Sequence, residues 1–277
     1  MKTTRMLTPI VAALGLLAGS ASATTLIYND FSSVSGLKLN GNAAQAGNVL
    51  RVTPANYNQS GSAFSQTAIS LASNVSFSSA FSFRITNSGG SSDGDGLGAD
   101  GITFTVQTVS NTAGGIGGGI GYAGILNSVA IEYDTWDNGT SFNDPNGNHV
   151  GVDLAGDIAS VQTAVVGTRM NDGNVWYSWV DYDGTTKNLE VRLSQSSSRP
   201  AAAILTGNVD LAAALGTTNA YVGFTSGTGA AFGDHDILSW EFRDTFAPIG
   251  NAPEPASLAL LGLGLFGLAA ARKRQAG

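Results

Sequence analysis

The chain has no cysteine, so no disulfide can brace it, and its stability has to come from burial and bound metal. Charge is sparse at 12% of residues, and positive charge is sparser: 13 Lys and Arg stand against 20 Asp and Glu in 277 residues, a formal net of −7. Nucleic-acid binding calls for basic surface, and this composition excludes it. Helical periodicity is also missing. Between the two ends the best helical candidate is Asp210–Leu215, barely more than one turn. No internal repeat is evident, and the long apolar runs are confined to the termini.

Those termini read as processing signals. Met1–Ala23 carries Lys2 and Arg5, an apolar run Ile10–Ala18 and the small-residue site Ala21-Ser22-Ala23, the pattern of a secretory signal peptide with cleavage before Thr24. At the other end Pro253-Glu254-Pro255 precedes the apolar run Ala256–Ala271 and then Arg272-Lys273-Arg274. Such a run is about 24 Å long as a helix, enough for a thin bilayer with the basic residues held on the cytoplasmic side. The order of these features resembles the PEP-CTERM sorting signal of Gram-negative bacteria that make exopolysaccharide. The resemblance implies transient anchoring in the inner membrane by residues 253–277, removal by an exosortase-type machinery, and a product at the cell surface or outside the cell. A permanent anchor is the alternative. Residues 24–252 remain as one domain, long enough for a full core. Without the five basic residues of the two signals and Glu254, that domain holds eight basic and 19 acidic residues, a net of −11.

What fills the domain is short alternating runs separated by Gly, Ser, Asn and Asp. Thr25–Tyr28, Asn48–Val52, Ala63–Ser70 and Ser78–Thr86 read as strands, and Asp183-Gly184 as the turn of a hairpin. Many strands with turns at short intervals predict an all-β sandwich of antiparallel sheets.

The chemistry gathers in Ile131–Asp153, IEYDTWDNGTSFNDPNGNHVGVD. Period-two alternation puts Glu132, Asp134 and Trp136 on one strand face, opposite Ile131 and Tyr133. A second strand from His149 places Val150, Val152 and Leu154 opposite His149, Gly151 and Asp153. Carboxylates, an Asn and a His thus converge at one end of a hairpin. Hard oxygen ligands suit calcium, and an added imidazole suits manganese or zinc. Asp93–Val106 begins as a Gly/Asp loop, but its spacing fails the EF-hand pattern at Leu97. The glycine-rich Thr112–Gly121 lacks the Lys-Ser/Thr of a phosphate loop, and its glycines more readily let backbone N–H groups approach a ligand.

E-x-D-T-aromatic-x-N, then D-P, then H-V-G-V-D resembles the metal-binding region of the legume-type (L-type) lectins. The likeness extends to Leu26–Phe31, Ser79–Arg84, G-x-A-D-G at Asp100, the Asp183-Gly184 hairpin, and Y-V-G-F-T with H-x-I-L-S-W-x-F near the end. It implies a concanavalin-like jelly-roll and no catalysis. It implies calcium held by Asp134, Asn138, Asp144 and the carbonyl of Trp136, and a transition metal, usually manganese, held by Glu132, Asp134, Asp144 and His149. Ser160 would hold a metal-bound water. Asn143 competes with Asn138 for the calcium. For sugar binding it implies Asp100, preceded by a cis Ala99–Asp100 peptide, Gly121 through its amide, Asn138, and Trp136 as a stacking ring unless that indole packs in the core. His235 is expected to be structural.

Three functions follow. The first is an exported carbohydrate-binding protein acting at the cell surface or in exopolysaccharide, with millimolar-range affinity for single sugars. The second is a structural matrix protein that keeps the fold without sugar binding. The third is a glycoside hydrolase of the same architecture, for which Glu132, Asp134 and Asp137 nearly match an E-x-D-x-x-E strand.

Overall fold

The structure, a computed structural model, describes residues 24–71, 75–108 and 114–250. The signal peptide, the start of the glycine-rich stretch at Thr112 and the apolar run Ala256–Ala271 lie outside the described residues. Among those described, no helix is long and apolar enough to cross a membrane.

In chain order the strands are β1 (Thr25–Tyr28), β2 (Leu37–Gly41), β3 (Ala44–Ala46), β4 (Val49–Thr53), β5 (Ser60–Ser65), β6 (Ile69–Ser70), β7 (Phe77–Gly90), β8 (Ser92–Asp93) and β9 (Gly96–Leu97). They continue with β10 (Gly101–Gln107), β11 (Ser128–Asp134), β12 (His149–Leu154), β13 (Gln162–Val165), β14 (Trp176–Asp183), β15 (Asn188–Ser194), β16 (Leu205–Asn208), β17 (Asn219–Gly227) and β18 (Ala231–Arg243). One sheet runs β16-β15-β14-β7-β18-β4-β3, with β1 on β18. The other runs β13-β12-β11-β10-β17-β5-β2, with β6 on β17. Every pairing in both is antiparallel.

The core lies between the sheets and is built by alternation. From one side come Phe81, Phe83, Val180, Tyr182 and Phe242, from the other Ile102, Phe104, Ile131, Tyr133, Val150, Val152 and Phe224. Aromatic rings meet edge to face, as Phe81 does with Phe224 at 5.0 Å and with Tyr133 at 5.6 Å, an arrangement each ring's quadrupole favours. Each such buried side chain contributes roughly 1.5–3 kcal/mol, which replaces crosslinking in a cysteine-free chain. The outer face of the second sheet carries the alternate residues Thr103, Glu132, His149, Asp153 and Thr225, and all are buried.

Thr25–Tyr28 forms as predicted, and the predicted turn of helix forms as α1 (Leu211–Leu215). Asp210 caps it by accepting from the Ala213 N–H, and Gly216 ends it at φ 68°. The Asp183-Gly184 hairpin joins β14 to β15. Ala63–Ser70 is not one strand. It breaks after Ser65, where the Gln66 N–H leaves the sheet for the carbonyl of Gly36, and β6 begins only at Ile69.

Candidate metal and ligand site

β11 and β12 pair so that Asp134 stands opposite His149 and Glu132 opposite Gly151. Glycine is required there. A Cβ at Gly151 would fall 2.2 Å from Glu132 Oε1 and 2.1 Å from Ser160 Oγ, in the space the carboxylate fills. Glu132 Oε1 accepts from Ser160 Oγ at 2.6 Å and lies 3.3 Å from His149 Nε2. Asp144 Oδ1 lies 3.6 Å from the same nitrogen. Ligand atoms of Glu132, Asp134 and His149 all fall within 4.8 Å of one another.

The donor set fits dications. His149 Nδ1 is 2.8 Å from the carbonyl of Asn146. That oxygen only accepts, so the ring proton sits on Nδ1 and the neutral ring turns its Nε2 lone pair toward two carboxylates. Such an array is repulsive unless a cation or a further proton lies inside it. The titration directions agree. Burial first, then Glu132 and Asp144, push the Asp134 carboxyl well above the usual carboxylate range. Burial likewise raises Asp144. Burial opposes charging of His149, yet Glu132 and Asp144 raise its pKa above the ordinary imidazole value.

The loop after β11 is shaped around the same oxygens. The Trp136 N–H donates to Asp134 Oδ1 at 2.6 Å, and the Asn138 N–H to Asp144 Oδ2 at 2.7 Å. This turn ends β11 at Asp134, so Trp136 leaves the strand face on which alternation had placed it. The indole is half-buried and belongs to neither apolar cluster of the core. Asn143 is exposed and donates to the Ser160 carbonyl at 2.8 Å. Asn138 is the half-buried one of the two. Asp137 is also off the strand, exposed, its carboxylate accepting from the Gly139 N–H. It therefore lies beyond the end of the strand whose face carries Glu132.

Asp100 adjoins this loop. The Ala99–Asp100 peptide is cis, as the family resemblance implied, the Asp100 carbonyl accepts from the Thr135 N–H at 3.0 Å, and its own N–H donates to the Gly227 carbonyl. Its carboxylate is 5% exposed, with Oδ2 buried and unpartnered. Burial lifts its pKa to about 7, the backbone at Gly229 offsetting part of this.

Gly121 is engaged within its own turn. Its N–H donates to the Gly115 carbonyl at 2.8 Å, and its Cα faces the backbone of Ser226. Gly118 lies beside Asn138, where an added Cβ would meet Oδ1 at 2.5 Å. In a run of near-identical glycines only the hydrogen bonding of the turn distinguishes them.

Two roles were not assigned from sequence. Asp153 is fully buried beside Ser160 Oγ at 2.7 Å, and burial and Glu132 hold its carboxyl well above the usual range. The period-two pattern from His149 was the available signal. Asp93 and Asp95 form a strap, accepting from the Asp137 N–H at 2.9 Å and the Gly147 N–H at 2.8 Å. The Gly/Asp loop thus braces the cluster by hydrogen bonds. His235 is buried, as expected of a structural residue.

The chain matches the legume lectin domain over residues 23–257 and a PEP-CTERM protein-sorting motif over residues 251–274. It is similar to L-type lectin-domain containing receptor kinase VIII.1 of Arabidopsis thaliana, 34% identical over 224 residues. That match takes in 77% of this chain and 29% of the kinase, so the chain spans less than a third of that relative's length. Among solved structures it is similar to lectin II from Ulex europaeus, with 28% identity and a TM-score of 0.65 over 79% of this chain and 97% of that one. It is similar also to lectin UEA-II complexed with galactose, with 27% identity and a TM-score of 0.64 over 79% and 97%.

Proposed function

Because the chain belongs to the legume lectin domain family, we propose that it is an exported, metal-dependent carbohydrate-binding protein acting at the cell surface or in exopolysaccharide. The observation that carries this reading is the Asp100 carboxylate, buried beside the cation-ready cluster with one oxygen that no group of the chain satisfies. A buried unpartnered carboxylate oxygen costs free energy unless a ligand donates to it, and a sugar hydroxyl is such a donor.

In this reading a transition metal is held by Glu132, Asp134, Asp144 and His149, and calcium by Asp134, Asn138, Asp144 and the carbonyl of Trp136. Bridging carboxylates offset the repulsion of two nearby dications. Bound metal supplies charge and orientation and takes no part in a reaction. The Asn138 side-chain amide hydrogen-bonds Asp144 and its oxygen lies toward Gly118; with calcium bound the amide would turn over, giving its oxygen to the metal and its nitrogen to the sugar. Gly118, rather than Gly121, lines the sugar beside it, and Trp136 lies along the apolar face of the ring. The PEP-CTERM motif over residues 251–274 supports export, transient anchoring in the inner membrane and processing by exosortase-type machinery.

A glycan array tests this, run on the purified protein with calcium and manganese and again after EDTA. Binding abolished by EDTA is expected. No binding in either condition, with a melting temperature that still falls on chelation, assigns the metal a structural role and favours the matrix-protein reading.

A further inference from the structure

We propose that Thr225 and Ser226, neighbours on β17, are the positioning residues of this site, and that His235 heads the inner of two hydrogen-bond relays through which they act. The proposal rests on the sugar-site reading above.

β17 pairs with β10 so that Thr225 stands opposite Thr103 and Ser226 opposite Ile102. Phe224 and Ile102 belong to the core, so Ser226 points inward and Thr225 outward. On the outer face the Thr225 hydroxyl donates to the carbonyl of Ile120 at 2.7 Å. A hydroxyl has one hydrogen. Thr103 Oγ1, 2.7 Å from Thr225 Oγ1, is therefore the donor to it, and Thr105 Oγ1 at 2.6 Å is the donor to Thr103. The relay runs Thr105 to Thr103 to Thr225 to Ile120. Ile120 closes the Gly117–Gly119 turn through its own N–H on the Gly117 carbonyl, and the Gly117 N–H is fixed to Thr228 just past β17. Gly118, beside Asn138, hangs from that turn.

On the inner face the Ser226 hydroxyl donates to the carbonyl of Gly101 at 2.7 Å. Thr53 Oγ1, 2.8 Å from Ser226 Oγ, must then donate to Ser226, and His235 Nδ1, 2.9 Å from Thr53 Oγ1, must donate to Thr53. The relay runs His235 to Thr53 to Ser226 to Gly101, the residue after Asp100. It crosses the sandwich, since β4 and β18 belong to one sheet and β10 and β17 to the other. Thr53, Thr103, Thr105, Thr225, Ser226 and His235 are all fully buried, so the relays are shielded from bulk solvent. The direction of donation fixes the tautomer: neutral His235 carries its proton on Nδ1, and Nε2 is the bare, unpartnered nitrogen. Two consecutive side chains on one strand thus hold the two walls of the site from opposite faces of a sheet.

Nitrogen-15 NMR of the labelled protein reads the tautomer directly. With two histidines in the chain, the His235→Asn spectrum assigns the signals. A proton on Nδ1 of His235 is expected, and a proton on Nε2 overturns the inner relay. Asparagine places an amide nitrogen as many bonds from Cβ as Nδ1, so His235→Asn is expected to keep the backbone amide shifts of Asp100, whereas His235→Phe moves them. Ser226→Ala is expected to move Asp100 and leave Gly118, and Thr225→Val to do the reverse. Affinity for the strongest glycan of the array is expected to fall about three- to tenfold in His235→Phe and Ser226→Ala, and to hold in His235→Asn. Unmoved Asp100 and Gly118 amides in these variants overturn the proposal. If the unaltered protein binds no glycan, the sugar reading fails while the NMR results still decide the relays.

Discussion

His149 Nε2 faces Glu132 Oε1 at 3.3 Å although its Nδ1 proton is already committed to the Asn146 carbonyl. Two acceptors pointed at each other in a buried site mark a place built for a positive charge. Burial first, and then neighbouring carboxylates such as Glu132, hold Asp134, Asp144 and Asp153 above the usual carboxylate range, so that without a dication protons take its place.

Metal loading should therefore invert the pH dependence of stability. A carboxyl whose folded pKa is raised binds more protons folded than unfolded, so its contribution is largest at low pH and falls as pH rises through the folded pKa. His149, also raised, has the same sign. After EDTA the protein is expected to melt higher near pH 5 than near pH 8. With calcium and manganese the order should reverse, because ligands must shed protons to bind metal. Melting curves with and without chelator at the two pH values decide this, and an unchanged order would remove the cluster as a metal site.

Asp100→Asn separates binding from folding. The carboxyl titrates near pH 7 where an unfolded Asp titrates near 4, so above neutrality the buried charge costs up to about 4 kcal/mol. The cost grows as pH rises through about 7. Asparagine keeps the shape without the charge. In metal-free protein at pH 8 it should raise the melting temperature, and it should lower glycan affinity by at least about tenfold, since a charged acceptor becomes a neutral one. Calorimetry and the array read the two effects independently.

The opposite slope belongs to His235. Fully buried and neutral, it titrates at about 4, against about 6.5 unfolded. The unfolded chain takes up the proton first, so stability present above pH 6.5 is lost as pH falls toward 4, by roughly 3 kcal/mol. Burial dominates the shift. Asp234 opposes it and Arg51 adds to it. His235→Asn should flatten this part of the curve in urea titrations from pH 7 to 4, with the metal cluster kept saturated as far as it holds.

What could be read beforehand follows from where side chains carry the information. Alternation around Glu132 and His149 exposed the strand faces, and Asp210–Leu215 stood out as a helix of barely more than one turn. Trp136 was misplaced because a side-chain-to-backbone turn at Asp134 outcompeted the strand period, which no period reveals. Thr225 and His235 lay in segments read as marks of the fold, and Ser226 was not singled out. Their partners, Gly101, Ile120 and Thr53, are far off in sequence and offer nothing to a spacing argument.

Glycines carry the sharpest test of the site's inner register. Gly118 has no positive φ and an added Cβ meets nothing closer than Asn138 Oδ1 at 2.5 Å, the end of a side chain that can swing aside. Gly118→Ala should fold with nearly normal stability while Asn138, displaced from the ligand, loses its hold on both sugar and calcium. Gly121 sits at φ +65° with backbone oxygens of Ser226 and Gly61 at 2.5 and 2.9 Å from the Cβ position. Backbone in two strands cannot swing aside. Gly121→Ala should therefore cost about 2–3 kcal/mol or more of stability through overpacking and the left-handed backbone. Measuring melting temperature and calcium affinity for both variants gives a crossed pattern if Gly118 is the residue at the ligand. Were Gly121→Ala to fold normally and lose only binding, the ligand-facing glycine would be Gly121 after all, and the hydrogen bond from its N–H to Gly115 would have to open in solution.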